Sequence, residues 1–170
     1  MKKFVVAVAN GFGLGLSPFA SGTTGALVGV PVAIALSALQ SVPAQFAVAL
    51  ALTILALPVC DIAERHYGEK DDGRIVADEW MLLPICFAGQ LPLWEMFRGG
   101  NWQPALAFVA MAFVVSRVFD ILKIFPAYRL QSLPGGWGIV LDDFFADVYS
   151  WLAIRALALW LFPEFVIHFP

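Results

Sequence analysis

Apolar residues in this chain come in long runs, broken at short intervals by glycine, proline or charge. A helix needs roughly 20 apolar residues to cross a bilayer. On that measure the runs predict five spans, at residues 24–40, 44–60, 80–97, 102–118 and from 147 to about 162. Several are short, so their ends extend into the flanks or the helices sit within protein rather than lipid. Pro84, Gln90 and Pro92 predict bends in the third. Residues 4–9 follow Lys2-Lys3 and imitate a secretory leader. That run stops at Asn10 and meets Gly11, Gly13 and Gly15 before Pro18, which favours a retained interfacial or re-entrant piece. Trp94, Trp102, Trp151 and Trp160 lie near predicted span ends, as interface anchors do, although helix packing produces the same placement, and residues 162–170 are expected to return to an interface.

Composition turns this pattern into a class. The 170 residues are 61 % hydrophobic and 14 % charged, where a soluble domain is about a quarter charged. The expectation is an all-α, single-domain membrane helix bundle of about four to five spans, opened by a glycine-rich amino-terminal segment. A net charge of -3 and the lack of a contiguous basic patch argue against nucleic acid. Cys60 and Cys86 match no metal spacing and read as buried packing residues.

Charge placement adds direction. Five spans put the amino terminus, the 61–79 connection and the 117–146 connection on one side. That side holds Lys2, Lys3, Arg65, Lys70, Arg74, Arg117, Lys123 and Arg129, against Arg98 opposite and Arg155 within a span. By the positive-inside rule the basic side is cytoplasmic. Arg155 either snorkels or pairs with a buried acid, and His66 reads as a surface residue.

The candidate chemistry lies on that same side. Residues 11–25, GFGLGLSPFASGTTG, are dense in glycine, with Ser17, Thr23 and Thr24 as possible anion donors, although small residues also serve close helix packing. In the 61–79 connection Asp61, Glu64 and Arg65 share a helix face, Asp71-Asp72-Gly73 reads as a turn, and Asp78-Glu79 stand at the mouth of the third span. From Ser116 to Asp147 an otherwise greasy stretch gathers Arg117, Asp120 and Lys123, then Gly135-Gly136, Asp142-Asp143 and Asp147. Arg117, Asp120 and Lys123 are successive helix neighbours. They form either an intrahelical ion-pair ladder, or a set in which Asp120 binds metal or activates water while the two cations face phosphate. Carboxylates hold hard divalent cations, and guanidinium, ammonium and glycine-loop amides hold phosphate oxygens. Hydrolysis of a phosphate monoester needs those parts together.

Other phosphatase designs do not fit. A Cys-x5-Arg thiol site is absent, since position 66 is histidine and Arg65 falls one short. The only histidine after Ser116-Arg117 is His168, and neither an aspartyl-phosphate motif nor the motif of lipid phosphoalcohol transferases occurs. The chain resembles the phosphatidylglycerophosphatase A family. The motifs that carry the likeness are GFGLGLSP with GTTG in 11–25, D-x6-D-E at 71–79, R-x2-D-x2-K-x2-P at 117–126 and G-G-x-G-I-x2-D-D-x2-A at 135–146. The resemblance implies a magnesium-dependent enzyme of the bacterial inner membrane. It would release phosphate from phosphatidylglycerol phosphate, an anionic phospholipid, at the cytoplasmic face. It implies Asp78, Glu79, Asp120, Asp142 and Asp143 as metal-binding acids, with Asp120, Asp143 and Glu79 as the catalytic ones. Arg117 and Lys123, with Ser17, Thr23, Gly135 and Gly136, become the phosphate contacts.

The chain departs from the family pattern at Ser21, Leu82, Ile124 and Asp147. The first three bear on backbone shape and packing, which puts the choice of lipid in play. Asp147 adds a carboxylate one turn after Asp143, for the metal site or for a cation. The competing expectation is a non-catalytic transporter or assembly protein whose acids pair with cations or pass them.

Overall fold

The computed structural model describes residues 2–162, and among them it is all-helical. The expectation for the chain's end, residues 163–170, lies outside the described residues. An eight-residue helix, α1 (Lys2–Ala9), is followed by a short tight turn of helix at Gly11–Leu16 and by α2 (Ser21–Ser37). The long helix α3 (Val42–Tyr67) comes next. Three short pieces follow, α4 (Ala77–Leu82), α5 (Pro84–Phe87) and α6 (Pro92–Arg98). Then come α7 (Trp102–Leu122), the one-turn α8 (Ala127–Leu130) and α9 (Gly136–Leu161).

Three helices, α3, α7 and α9, are long and apolar enough to cross a membrane, and α2 is a shorter apolar helix. With 26 residues, α3 is about 39 Å long at 1.5 Å per residue and outruns the hydrocarbon core. Local signals set its ends. Ser41 Oγ accepts the Ala44 amide at its start, and Gly68, at φ +75°, turns the chain out as its amide donates to Glu64 O. The helix continues seven residues beyond the expected end at 60, so Asp61 and Arg65 keep their shared face and pair at 2.8 Å.

The third expected span is corrected. Residues 80–97 do not form one helix: Pro84 and Pro92 each open a new short piece, and Gly89, at φ +87°, bends the chain between them. Residues 80–90 are all buried. Bare backbone at membrane depth survives only inside protein, and here α2, α3, α7 and α9 surround it. Gln45 accepts the Gly89 amide at 2.7 Å and Trp151 Nε1 donates to Ala88 O at 2.9 Å. Trp151 is therefore a strut for the break rather than an interface anchor, and Arg155 stacks over its ring.

The fifth span is also corrected. It starts at Gly136, eleven residues ahead of the expected 147, because Gly136-Trp137-Gly138 joins the helix instead of remaining a loop. Asp142 and Asp143 lie in its second turn, buried. A Cβ on Gly136 would come within 2.1 Å of Leu57 O on α3, so bare glycine sets how closely α3 and α9 cross. Because that neighbour is backbone, Gly136→Ala is expected to cost about 1–3 kcal/mol of stability, the usual penalty of overpacking. Thermal unfolding in detergent checks this, and an unchanged midpoint would mean a looser crossing.

Hydrogen bonds place the two ends. At one end Val76 N donates to Ala9 O, Tyr67 OH bonds Asn10, and Arg74 lies over the Tyr67 ring. At the other, Gln45 Nε2 donates to Leu39 O and Gln40 Nε2 to Leu91 O. The amino terminus and the 61–79 connection therefore share one end of the bundle, and the Arg117–Glu79 pair brings the end of α7 there too.

Candidate active site

Two glycine-rich faces bring the polar residues together. Gly22, Gly25 and Gly29 line one stripe of α2, and α4 with the residue before it lies directly on that stripe. Cβ atoms there would strike Glu79, Val76, and Trp80 with Leu83. The tightest approach is at Gly22, where a Cβ would stand 2.1 Å from Glu79 Oε1. Glu79 is thus seated by the absence of a side chain on α2. Gly22→Ala is expected to push the carboxylate off its partners and lower activity by about 10²-fold, the scale of a catalytic group misplaced by about 1 Å. A native rate in that variant would remove Glu79's position from the account.

Opposite Gly22, Arg117 of α7 meets Glu79: Nη1 lies 2.7 Å from Oε2, an ion pair not aligned as a hydrogen bond. Arg117 Nη2 also donates to Asp120 Oδ2 at 2.5 Å within its own helix. Lys123 does not continue the ladder. It caps α7 with φ +41°, in the left-handed region, and its ammonium pairs with Asp142 Oδ2 on α9. Asp143 Oδ1 lies 3.8 Å from the same ammonium. Burial works against the lysine's charge, yet the Asp143 and Asp142 carboxylates hold its pKa above the ordinary lysine range. Each cation of α7 thus bridges two acids. The intrahelical pair is real for Arg117 and Asp120, and the third member reaches another helix.

The cluster grades from buried acids to partly open cations. Asp142 and Asp143 are 2 % and 8 % exposed, while Arg117, Asp120 and Lys123 are 15 %, 16 % and 25 %. Asp78 stands buried behind Glu79, with Oδ1 lacking a hydrogen-bond partner; Asp142 Oδ1 and Arg117 Nε are likewise buried and unpartnered. Buried charge without a partner is costly, so such atoms mark a place made for something else. Among the described residues no three acids converge as a ready-made metal cage. The donor set, hard carboxylate oxygens with two orphaned and buried, nevertheless fits a divalent cation such as magnesium.

Other expected residues sit elsewhere. Ser17 Oγ donates to Phe19 O, and Thr24 Oγ1 to Leu14 O and Ser21 O, so these hydroxyls are satisfied locally. Thr23 is half-buried beside Gly22. Gly135 and Gly136 pack on α3, where Cβ atoms would meet Asp61 Oδ1 and Leu57 O. Instead of joining Arg117 and Lys123, they border a cleft of about 530 Å³ shared with Glu64, Arg65 and Trp137. Asp61 and Glu64 also line that cleft, with Asp61 paired to Arg65. Asp147 lies one turn past Asp143 and accepts from Cys86 Sγ at 3.1 Å. The sequence reading missed that partner, treating Cys86 as packing alone. It also missed the seat at Gly22, which the spacing of Gly22, Gly25 and Gly29 signals. Outside the spans, Arg74 hydrogen-bonds Asp72 and holds that carboxyl below its usual range.

Fold and site together define a class: an integral-membrane helix bundle with acids and two cations gathered at one end. The phosphatidylglycerophosphatase A family model matches residues 7–158. A Bacteroides thetaiotaomicron protein, provisionally named a phosphatidylinositol-3-phosphatase, is 34 % identical over 92 % of this chain and 94 % of its own length. The phosphatidylglycerophosphatase A proteins of Haemophilus influenzae and Escherichia coli are 34 % and 33 % identical, over 91 % and 84 % of this chain and 88 % and 77 % of their own. No solved structure matches. The chain belongs to the phosphatidylglycerophosphatase A family, and is a membrane-bound lipid phosphatase, a phosphoric monoester hydrolase.

Proposed function

We propose that the chain hydrolyses phosphatidylglycerol phosphate to phosphatidylglycerol and inorganic phosphate, with magnesium, at the cytoplasmic face of a bacterial inner membrane. One observation carries the reading: Arg117, between Glu79 of α4 and Asp120 of α7, and Lys123, against Asp142 and Asp143 of α9, sit at the partly open edge of a buried carboxylate cluster. The crowding of these groups at the end that also bears most of the basic residues supports the cytoplasmic placement.

Both cations now neutralise the cluster's own acids. An arriving phosphate monoester, with its greater charge and three acceptor oxygens, competes for the same donors. Arg117 and Lys123 then hold phosphate oxygens and orient phosphorus toward the α9 and α4 acids. Asp78, Glu79, Asp120, Asp142 and Asp143 would hold magnesium, which supplies charge neutralisation at the phosphoryl oxygens. A carboxylate among Asp120, Asp143 and Glu79 takes a proton from water as the water oxygen adds to phosphorus. The P–O bond to the lipid breaks, and that oxygen takes the proton from the carboxylic acid so formed and leaves as the alcohol.

A second reading, a different phosphomonoester lipid as substrate, is favoured by the name of the Bacteroides relative. Phosphate release from phosphatidylglycerol phosphate, phosphatidylinositol 3-phosphate and phosphatidic acid, measured in parallel on purified protein, decides between them. A clear preference for the first is expected. Preference for the second would reassign the substrate, and release from none would favour the transporter or assembly alternative.

A further inference from the structure

The cluster is closed on most sides. The glycine stripe of α2 covers α4, α3 crosses α9 tightly at Gly136, and residues 80–90 fill the interior. The site residues that retain exposure are those facing or following α7, namely Glu79, Arg117, Asp120 and Lys123. This open edge lies between two elements, since Glu79 touches Gly22 at the start of α2 and Arg117 at the end of α7. Both elements carry bare apolar side chains there. Leu16 and Phe19 precede α2 at 56 % and 81 % exposure, and Ile121, Ile124 and Phe125 flank Lys123 at 75 %, 44 % and 57 %. Phe19 is three residues from the glycine that seats Glu79, and Ile121 is one helical turn from Arg117.

Apolar groups beside a charged opening fit an amphipathic ligand, an anionic head on hydrocarbon chains. We propose that this edge is a lateral gate through which a phosphomonoester phospholipid passes from the bilayer. Its phosphate goes to Arg117 and Lys123, and its acyl chains lie against Phe19 and Ile121. The inference rests on the lipid-phosphatase reading and adds the route and the residues that grip the chains. Binding energy from remote parts of a substrate is spent at the reacting centre, so loss of that grip lowers turnover of long-chain lipid without touching the chemistry.

The test uses the full chain in phosphatidylcholine nanodiscs, with long-chain phosphatidylglycerol phosphate in the bilayer or its water-soluble dihexanoyl analogue. Phe19→Ser and Ile121→Ser are expected to lower kcat/KM for the long-chain lipid by about tenfold, within the range of lost hydrophobic contacts. The soluble analogue should be turned over at the native rate. Phe19→Leu and Ile121→Leu should restore the long-chain rate, and Leu159→Ser, exposed on α9 beyond Arg155, should change neither. Equal loss on both substrates would make these residues supports of the fold, and no loss on either would move the entrance elsewhere. Each result overturns the gate and leaves the phosphatase reading standing. A native chain that hydrolyses neither of these, nor phosphatidylinositol 3-phosphate in the same bilayer, would overturn both.

Discussion

Arg117→Ala is expected to abolish most activity, by about 10³-fold, the upper end of the loss when one preorganised charge donor leaves an active site. Stability should fall too, by about 3–5 kcal/mol, the cost of stripping one partner from a buried ion pair. The reason is geometric: a single guanidinium holds Glu79 at 2.7 Å and Asp120 at 2.5 Å, and nothing else described reaches across from α7 to α4 there. Without it the Glu79 and Asp120 carboxylates, each largely buried, lose the cation between them. Arg117→Lys restores the charge but not the fork, so it should recover stability better than rate. Phosphate release and thermal unfolding in detergent check both effects. Near-native turnover in the alanine variant would show that Lys123 alone holds the phosphate.

The second large effect is at Asp143. Asp143→Asn keeps shape and volume and leaves the Lys123–Asp142 pair in place. The folded protein should therefore melt close to the native temperature, and kcat should fall by about 10³-fold, within the range for losing a general base or acid. Asp143 is singled out because it is buried where the elements meet, within electrostatic reach of Asp120, Asp78, Asp142 and Lys123. A variant that unfolds would instead mark Asp143 as structural. One that turns over normally would pass the proton-accepting role to Asp120 or Glu79.

How much of this was legible in the sequence depended on whether a pattern was local. The helical membrane class followed from apolar run lengths, and the shared face of Asp61 and Arg65 from i,i+4 spacing. The gathering of the acids at one end followed from counting crossings. What failed was decided by tertiary packing. Residues 80–97 have the hydropathy of a span, but two prolines and Gly89 break the helix, and enclosure by four neighbours makes the break tolerable. The glycines at 135–138 read as a loop for anions, yet the same lack of a side chain let α3 approach and the helix begin there. Lys123 fits a helical ladder by spacing. Only its left-handed backbone reveals that it leaves α7 and reaches α9.

The same packing explains why the site can be polar inside a greasy chain. Asp78, Glu79, Asp142 and Asp143 come from elements fixed by close backbone contact, α4 by the glycine stripe and α9 by Gly136, so their side chains need little freedom to meet. Cations supplied from one helix then offset acids supplied from two others, and the unpartnered oxygens of Asp78 and Asp142 mark where further positive charge fits.

We propose that this cluster cleaves a phosphate monoester from a membrane lipid with the help of a divalent cation. The most direct measurement is inorganic phosphate released from phosphatidylglycerol phosphate by the purified chain in nanodiscs, with magnesium and with chelator, beside Asp143→Asn. Release by the native protein with magnesium alone is expected, and almost none by the variant under either condition. Release that persists in chelator, or that is equal in the variant, would contradict it.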